Sequence, residues 1–179
     1  MDIQNIDTKR LDNQIRFTQS FFGFCKDCLG FKDMNSIHKE LCEFLQKDKN
    51  KFKLVLMPRY SFKSTIATVG YSLWQMVCNP DTRILVYSDA ATKAVGFLSS
   101  IKAHIEGKVA RSVFREYYPH WETDPKTGKW NENQIQISVR KTSFPEPSVD
   151  TGGIETSKIG FHYDIIIFDD IVSDKNITT

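Results

Sequence analysis

Glycine and proline are scarce in this 179-residue chain, nine and six respectively. That excludes collagen-like repeats and leaves no Pro/Gly-rich linker to divide the chain into halves. No stretch approaches the roughly 18 apolar residues that a membrane-spanning helix needs. Neither sign of charge dominates: 24 basic residues face 22 acidic ones, for a formal charge of +2. Such a balance neither requires nor excludes a nucleic-acid partner, because a local patch disappears in the sum. There are four cysteines, at 25, 28, 42 and 78. The polar, acid-containing start MDIQNIDTKR does not have the form of a secretory signal, so the expected setting is reducing and intracellular. With 40% hydrophobic and 26% charged residues, the composition is that of an ordinary globular protein of one-domain size, neither disordered nor a coiled coil.

Periodicity supplies the elements. The first ten residues carry little pattern and are expected to fray. Leu11 to Leu29 has apolar residues at near-helical spacing, and Gly30 follows as a stop. Asn35 or Ser36 can cap a second helix through about Gln46. Lys53 to Met57 (KLVLM) is a short apolar run that predicts a buried strand, closed by Pro58. Ser64 to Cys78 predicts a helix apolar on nearly every side, which must be covered on most faces. Arg83 to Tyr87 (RILVY) predicts a second buried strand and Ala90 to Glu106 a second long helix. A short helical piece ends at Tyr118-Pro119. Asp124 to Gly128 reads as a tight turn. Gln134 to Val139 alternates as a half-buried strand does, and Ser148 to Ile154 is its expected partner. Tyr163 to Phe168 is a dense apolar run leading directly into Asp169-Asp170. No internal repeat or low-complexity segment is present. Strand, helix, strand, helix and later strand is the order of a three-layer α/β domain with a mainly parallel sheet and helices on both faces. Such sheets place ligands at the carboxyl ends of their strands.

Two motifs lie at such ends. Pro58-Arg59-Tyr60-Ser61-Phe62-Lys63-Ser64-Thr65 joins the first predicted strand to the apolar helix. In a phosphate-binding loop, backbone N–H groups and a helix start surround the phosphates, a Lys supplies a point charge, and the next hydroxyl serves Mg²⁺. Lys63-Ser64 has that order and position. The usual pattern G-x-x-x-x-G-K-[ST] would place glycine at Met57 and Phe62, and both are missing. The plainer alternative is a solvated Lys beside a capping Ser. The second motif, Ile165 to Asp170, is an apolar strand ending in two carboxylates. It has the Walker B form, in which the first acid serves Mg²⁺ and the next orients the attacking water. An acid-capped strand without function is the alternative. Arg59 lies inside the loop, where a guanidinium can stabilise charge on a transferring phosphoryl group.

The residues Pro58 to Thr65, the stretch Trp74 to Tyr87 and the passage Gly160 to Asp170 resemble the ATPase domain of the large terminase subunit of tailed bacteriophages. That family drives viral DNA into the procapsid. The resemblance covers roughly residues 31 to 179, with 1–30 as a helical segment in front. It implies a P-loop NTPase fold of the ASCE type and the cofactors ATP and Mg²⁺. Lys63 would be on the phosphates, Ser64 and Asp169 on the metal, Arg59 as the in-loop arginine, and Asp170 in the place of the catalytic carboxylate, more usually Glu. The family's loop often departs from the two-glycine form. An adenine-contacting segment is expected within Asn35 to Gln46. The implied partners are double-stranded DNA, the portal protein, the small terminase subunit and further copies in a ring, with no membrane, in the cytoplasm of a bacterial host. The family's nuclease domain follows later in the chain, so these residues are not expected to cut DNA. A helicase-like P-loop ATPase, and a degenerate nucleotide fold without turnover, stand as alternatives. Cys25, Cys28, His38 and Cys42 have a loose metal-ligand spacing, read more readily as core. Lys102, His104, Lys108, Arg111 and Arg115 offer charge for DNA phosphates but read first as a solvated face.

Overall fold

The computed structural model describes residues 3–121 and 128–171, with backbone only for 3–7. The chain forms an α/β structure around a mixed four-stranded sheet of order β2-β3-β1-β4. Strand β1 (Ile84–Ser88) pairs in parallel with β3 (Val149–Gly153) on one side and with β4 (Ile165–Asp169) on the other. The two-residue β2 (Gln134–Ile135) pairs antiparallel with β3. The sheet is thus parallel at its centre and antiparallel at one edge.

Among the described residues six α-helices accompany it. Helix α1 (Ile3–Gln19) begins earlier than the polar start suggests, and the expected fraying gives way to helix from Ile3 onward. Helix α2 (Phe21–Gly23) runs into a π-helical turn at Phe24–Cys28. Gly30 then ends the segment at φ 77°, and a Cβ there would lie 2.2 Å from the carbonyl oxygen of Arg111. Only glycine satisfies both the backbone sign and the approach. Helix α3 (Ser36–Lys47) is capped by Asn35, whose Oδ1 accepts from the Ile37 amide. The expected apolar helix is present as a π-helical stretch at Thr65–Gly70 continuing into α4 (Tyr71–Cys78). Helix α5 (Ala91–Ile105) follows β1 and packs on β1 and β3; the short α6 (Phe114–Tyr117) follows it.

The core explains this arrangement. Phe17, Phe21 and Phe24 are fully buried and reach Trp74 of α4 and Phe114 of α6. Trp74 donates its indole N–H to the Phe17 carbonyl at 2.9 Å. The N-terminal helices therefore share one hydrophobic core with the sheet-packing helices. Burying each such side chain contributes about 1.5–3 kcal/mol. Strand β1 is buried on both faces, with Ile84, Leu85 and Val86 all buried, as its unbroken apolar run requires. Asp164 takes Arg83 through two bonds of 3.0 and 2.7 Å, which pins the start of β4 beside β1. The charged break in the apolar run Tyr163 to Phe168 thereby has a role.

One expected element is different. Lys53 to Met57 is not a strand. Among the described residues nothing joins its backbone into a ladder, and Leu54 and Leu56 are 77% and 82% exposed. Only Val55 and Met57 turn toward the core. A strand requires a neighbour for its amides and carbonyls, and composition alone cannot supply one. The turn expected at 124–128 lies outside the described residues except for Gly128. Among the described residues no helix is long and apolar enough to cross a membrane.

Candidate functional site

Beyond Met57 the chain bends through a loop that adopts the backbone conformation of glycine without containing any. Tyr60 and Phe62 have φ of 62° and 56°. Phe62 occupies one of the two places where the common phosphate-loop pattern has glycine. Helical structure begins at Lys63 and Ser64, and the Ile66 amide bonds back to the Phe62 carbonyl at 3.0 Å. Ser61 closes the turn by donating its hydroxyl to the Pro58 carbonyl at 2.6 Å.

The parallel register brings a second set of residues to the same place. Ser88 of β1 stands opposite Asp169 of β4, so the residues after them, Asp89 and Asp170, leave the sheet side by side. Asp170 is the third non-glycine residue with positive φ, at 47°. Among the described residues these three are the only such cases, and all belong to the loop or to the strand end that meets it. Backbone strain of this kind clusters where function demands a fixed geometry.

Four side chains join loop to strand. Lys63 Nζ lies 3.1 Å from Asp170 Oδ1, and Ser64 donates its hydroxyl to Asp169 Oδ1 at 3.1 Å. Two consecutive residues of the loop thus meet two consecutive residues of a strand end more than 100 positions later. Thr68, one turn along the helix from Ser64, donates to the other oxygen of Asp169 at 3.5 Å. Asp169 is buried at 6% exposure, and among the described residues only hydroxyls bond to it and no Lys or Arg pairs with it. A buried carboxylate without a cation is costly. Oxygen donors from Ser64, Thr68 and Asp169 suit a hard divalent cation such as Mg²⁺, which takes few protein ligands and completes its shell with water and phosphate. No group of three His, Cys, Asp or Glu side chains able to hold a metal occurs among the described residues.

Lys63, Ser64 and Asp170 border a cleft of about 800 Å³, lined by residues 57–65 together with Asp89, Lys93 and Asp170, with Asp169 and Thr68 buried behind it. All eight residues from Pro58 to Thr65 line it, including Arg59. Lys93, in the first turn of α5, holds Asp89 at 2.8 Å. The Lys93 ammonium, with the Ala90 amide and the Ser88 hydroxyl, keeps the Asp89 carboxyl below the usual carboxylate range against a smaller opposing effect of burial. The close approach of α5 is made possible by Gly153 at the end of β3, where a Cβ would lie 2.6 Å from the Ala91 nitrogen.

Thr68, Asp89 and Lys93 escape the sequence motifs. Asp89 carried a usable signal, since it follows an apolar run much as Asp170 does. Thr68 repeats the position of Ser64 one helical turn on, which matters only once Asp169 is known to face both. Among the described residues, most members of the other charged and thiol clusters are engaged elsewhere, Arg111 excepted. Cys25, Cys28 and Cys42 are buried in the core as free thiols, and both ring nitrogens of His38 have partners. His104 is buried against Ser112, Lys108 pairs with Glu106, and Lys102 and Arg115 bond to backbone carbonyls. No protein-family model matches the chain, and no curated protein matches its sequence.

Proposed function

We propose that this chain is a P-loop ATPase domain that binds ATP with Mg²⁺ in the cleft between residues 57–65 and the ends of β1 and β4. The observation that carries the proposal is the double meeting of Lys63 with Asp170 and Ser64 with Asp169. In the proposed complex Lys63 exchanges Asp170 for the phosphates, and Arg59, from the same loop, adds a second cation. Ser64 and Asp169 would hold Mg²⁺, which when bound neutralises charge on the transferring phosphoryl group. Asp170, freed from Lys63, accepts a proton from the attacking water. A three-layer P-loop NTPase fold belongs to the same proposal. Its support is the parallel β3-β1-β4 core with the loop and both acids at its carboxyl edge.

The resemblance carried by Pro58 to Thr65 and Gly160 to Asp170 extends the proposal to a motor. ATP hydrolysis would drive double-stranded DNA into a procapsid, with the portal protein, the small terminase subunit and further copies of the chain as partners, in the cytoplasm of a bacterial host. Nuclease activity is not part of it. A second reading, nucleotide binding without turnover, is favoured by one contact: Asp170 is already engaged by Lys63 and is one methylene shorter than Glu.

The test is calorimetric binding of MgATP together with steady-state phosphate release, using Lys63→Ala and Asp169→Ala as controls. The expected result is saturable binding and turnover in the native chain, with turnover at least about 100-fold lower in both variants. Binding without turnover above the controls selects the second reading. No binding in the native chain sinks both.

A further inference from the structure

His38 is the third residue of α3 and is 8% exposed, yet its ring does more than cap its own helix. The Asn35 amide donates to Nδ1 at 3.0 Å, so Nδ1 carries no proton. The ring proton then sits on Nε2, which donates to the Ser61 carbonyl at 3.1 Å. The ring also meets Phe62 edge-on, with centroids 6.1 Å apart. Ser61 stands between Tyr60 and Phe62, the two loop residues held at positive φ. In a planar trans peptide the carbonyl and the following N–H point in opposite directions. Fixing the Ser61 oxygen toward α3 therefore turns the Phe62 N–H away from α3. Among the described residues nothing accepts a hydrogen bond from that N–H.

We propose that His38 is a positioning residue for the anion loop: its Nε2–H bond to the Ser61 carbonyl sets the 61–62 peptide so that the Phe62 amide is free to meet a phosphate oxygen. The inference rests on the nucleotide-binding reading of the cleft. It adds that α3 sets the loop's orientation, so displacement of that helix alters affinity without touching Lys63 or either acid.

Three substitutions separate this role from helix capping. In His38→Gln the side chain retains an acceptor for Asn35 and a donor for Ser61. In His38→Glu the cap acceptor survives, but a carboxylate faces the Ser61 carbonyl. In His38→Ala both bonds are lost. The measurements are melting temperature, amide hydrogen exchange of residues 58–64 in the nucleotide-free chain, and the dissociation constant for MgATP. The expected pattern is restoration of all three by Gln. Glu should keep the melting temperature of the native chain while the loop exchanges faster and MgATP binds about tenfold more weakly, the loss of one oriented hydrogen bond. Ala should lose on all three. A Glu variant whose loop exchange matches the native chain overturns the proposal. So does a Glu variant that melts as early as Ala with exchange raised through α3 and not specifically in the loop, which makes His38 a cap only. If the native chain binds no MgATP, the nucleotide reading falls by itself, and the exchange comparison still decides whether His38 holds the loop.

Discussion

Tyr60 is fully solvent-exposed and at positive φ, so its side chain gains nothing from the conformation it is forced to adopt. A left-handed backbone disfavours a residue with a Cβ by about 1–2 kcal/mol, while glycine raises the entropy lost on folding by about 0.5–1 kcal/mol. Tyr60→Gly is therefore expected to stabilise the chain, by up to about 1 kcal/mol in urea unfolding. Phe62→Gly would mix this gain with loss of the His38 contact and is a poorer probe. A second side chain sets the response to acid. His104 lies in the core against Ser112, and burial lowers its pKa to about 4 from an ordinary 6.5. Above pH 6.5 both folded and unfolded chains hold it neutral, and its contribution to stability is complete. Between pH 6.5 and 4 only the unfolded chain takes up the proton, so stability falls with a slope of up to about 1.4 kcal/mol per pH unit. Urea unfolding at successive pH values should show a shallower slope over that window for His104→Gln than for the native chain.

Helix α5 reaches the cleft because β3 ends in glycine. Gly153→Ala puts a methyl group against the backbone of Ala91, which must shift. The expected loss is about 1–3 kcal/mol of stability, read by chemical unfolding, and a weakened hold on Asp89 and Lys93. Which elements could be foreseen follows from what each depends on. Helix α3 was legible because its start is a local event: Asn35 bonds the Ile37 amide two residues away. Strand β4 was legible because three consecutive isoleucines before an acid have few other uses. Lys53 to Met57 misled because its apolar run has the composition of a strand, whereas strand formation depends on a partner elsewhere in the chain. The loop at residues 58–65 was only half legible. Its Lys-Ser pair showed, but of the two glycine positions only Phe62 takes a left-handed backbone, Tyr60 takes one where the pattern asks for no glycine, and no pattern of residue types records that. Thr68, Lys93 and His38 were out of reach, since each acquires its place through a contact between distant segments.

Among the described residues, the strands leave one side of the sheet unfinished. Strand β4 is the last in the order β2-β3-β1-β4, and Ile166 and Phe168 on it are 49% and 60% exposed. Leu54 and Leu56 add further exposed apolar surface just before the loop at residues 58–65. Open edges with apolar faces recruit other chains unless charge or proline guards them. Sedimentation across a concentration series is expected to show average mass rising with concentration, and Ile166→Lys is expected to suppress that rise. Folding has thus spent the isoleucine run on one flank only, leaving the other adhesive. Dilution, more than gentle heating or added salt, is the condition under which these 179 residues should travel as single particles.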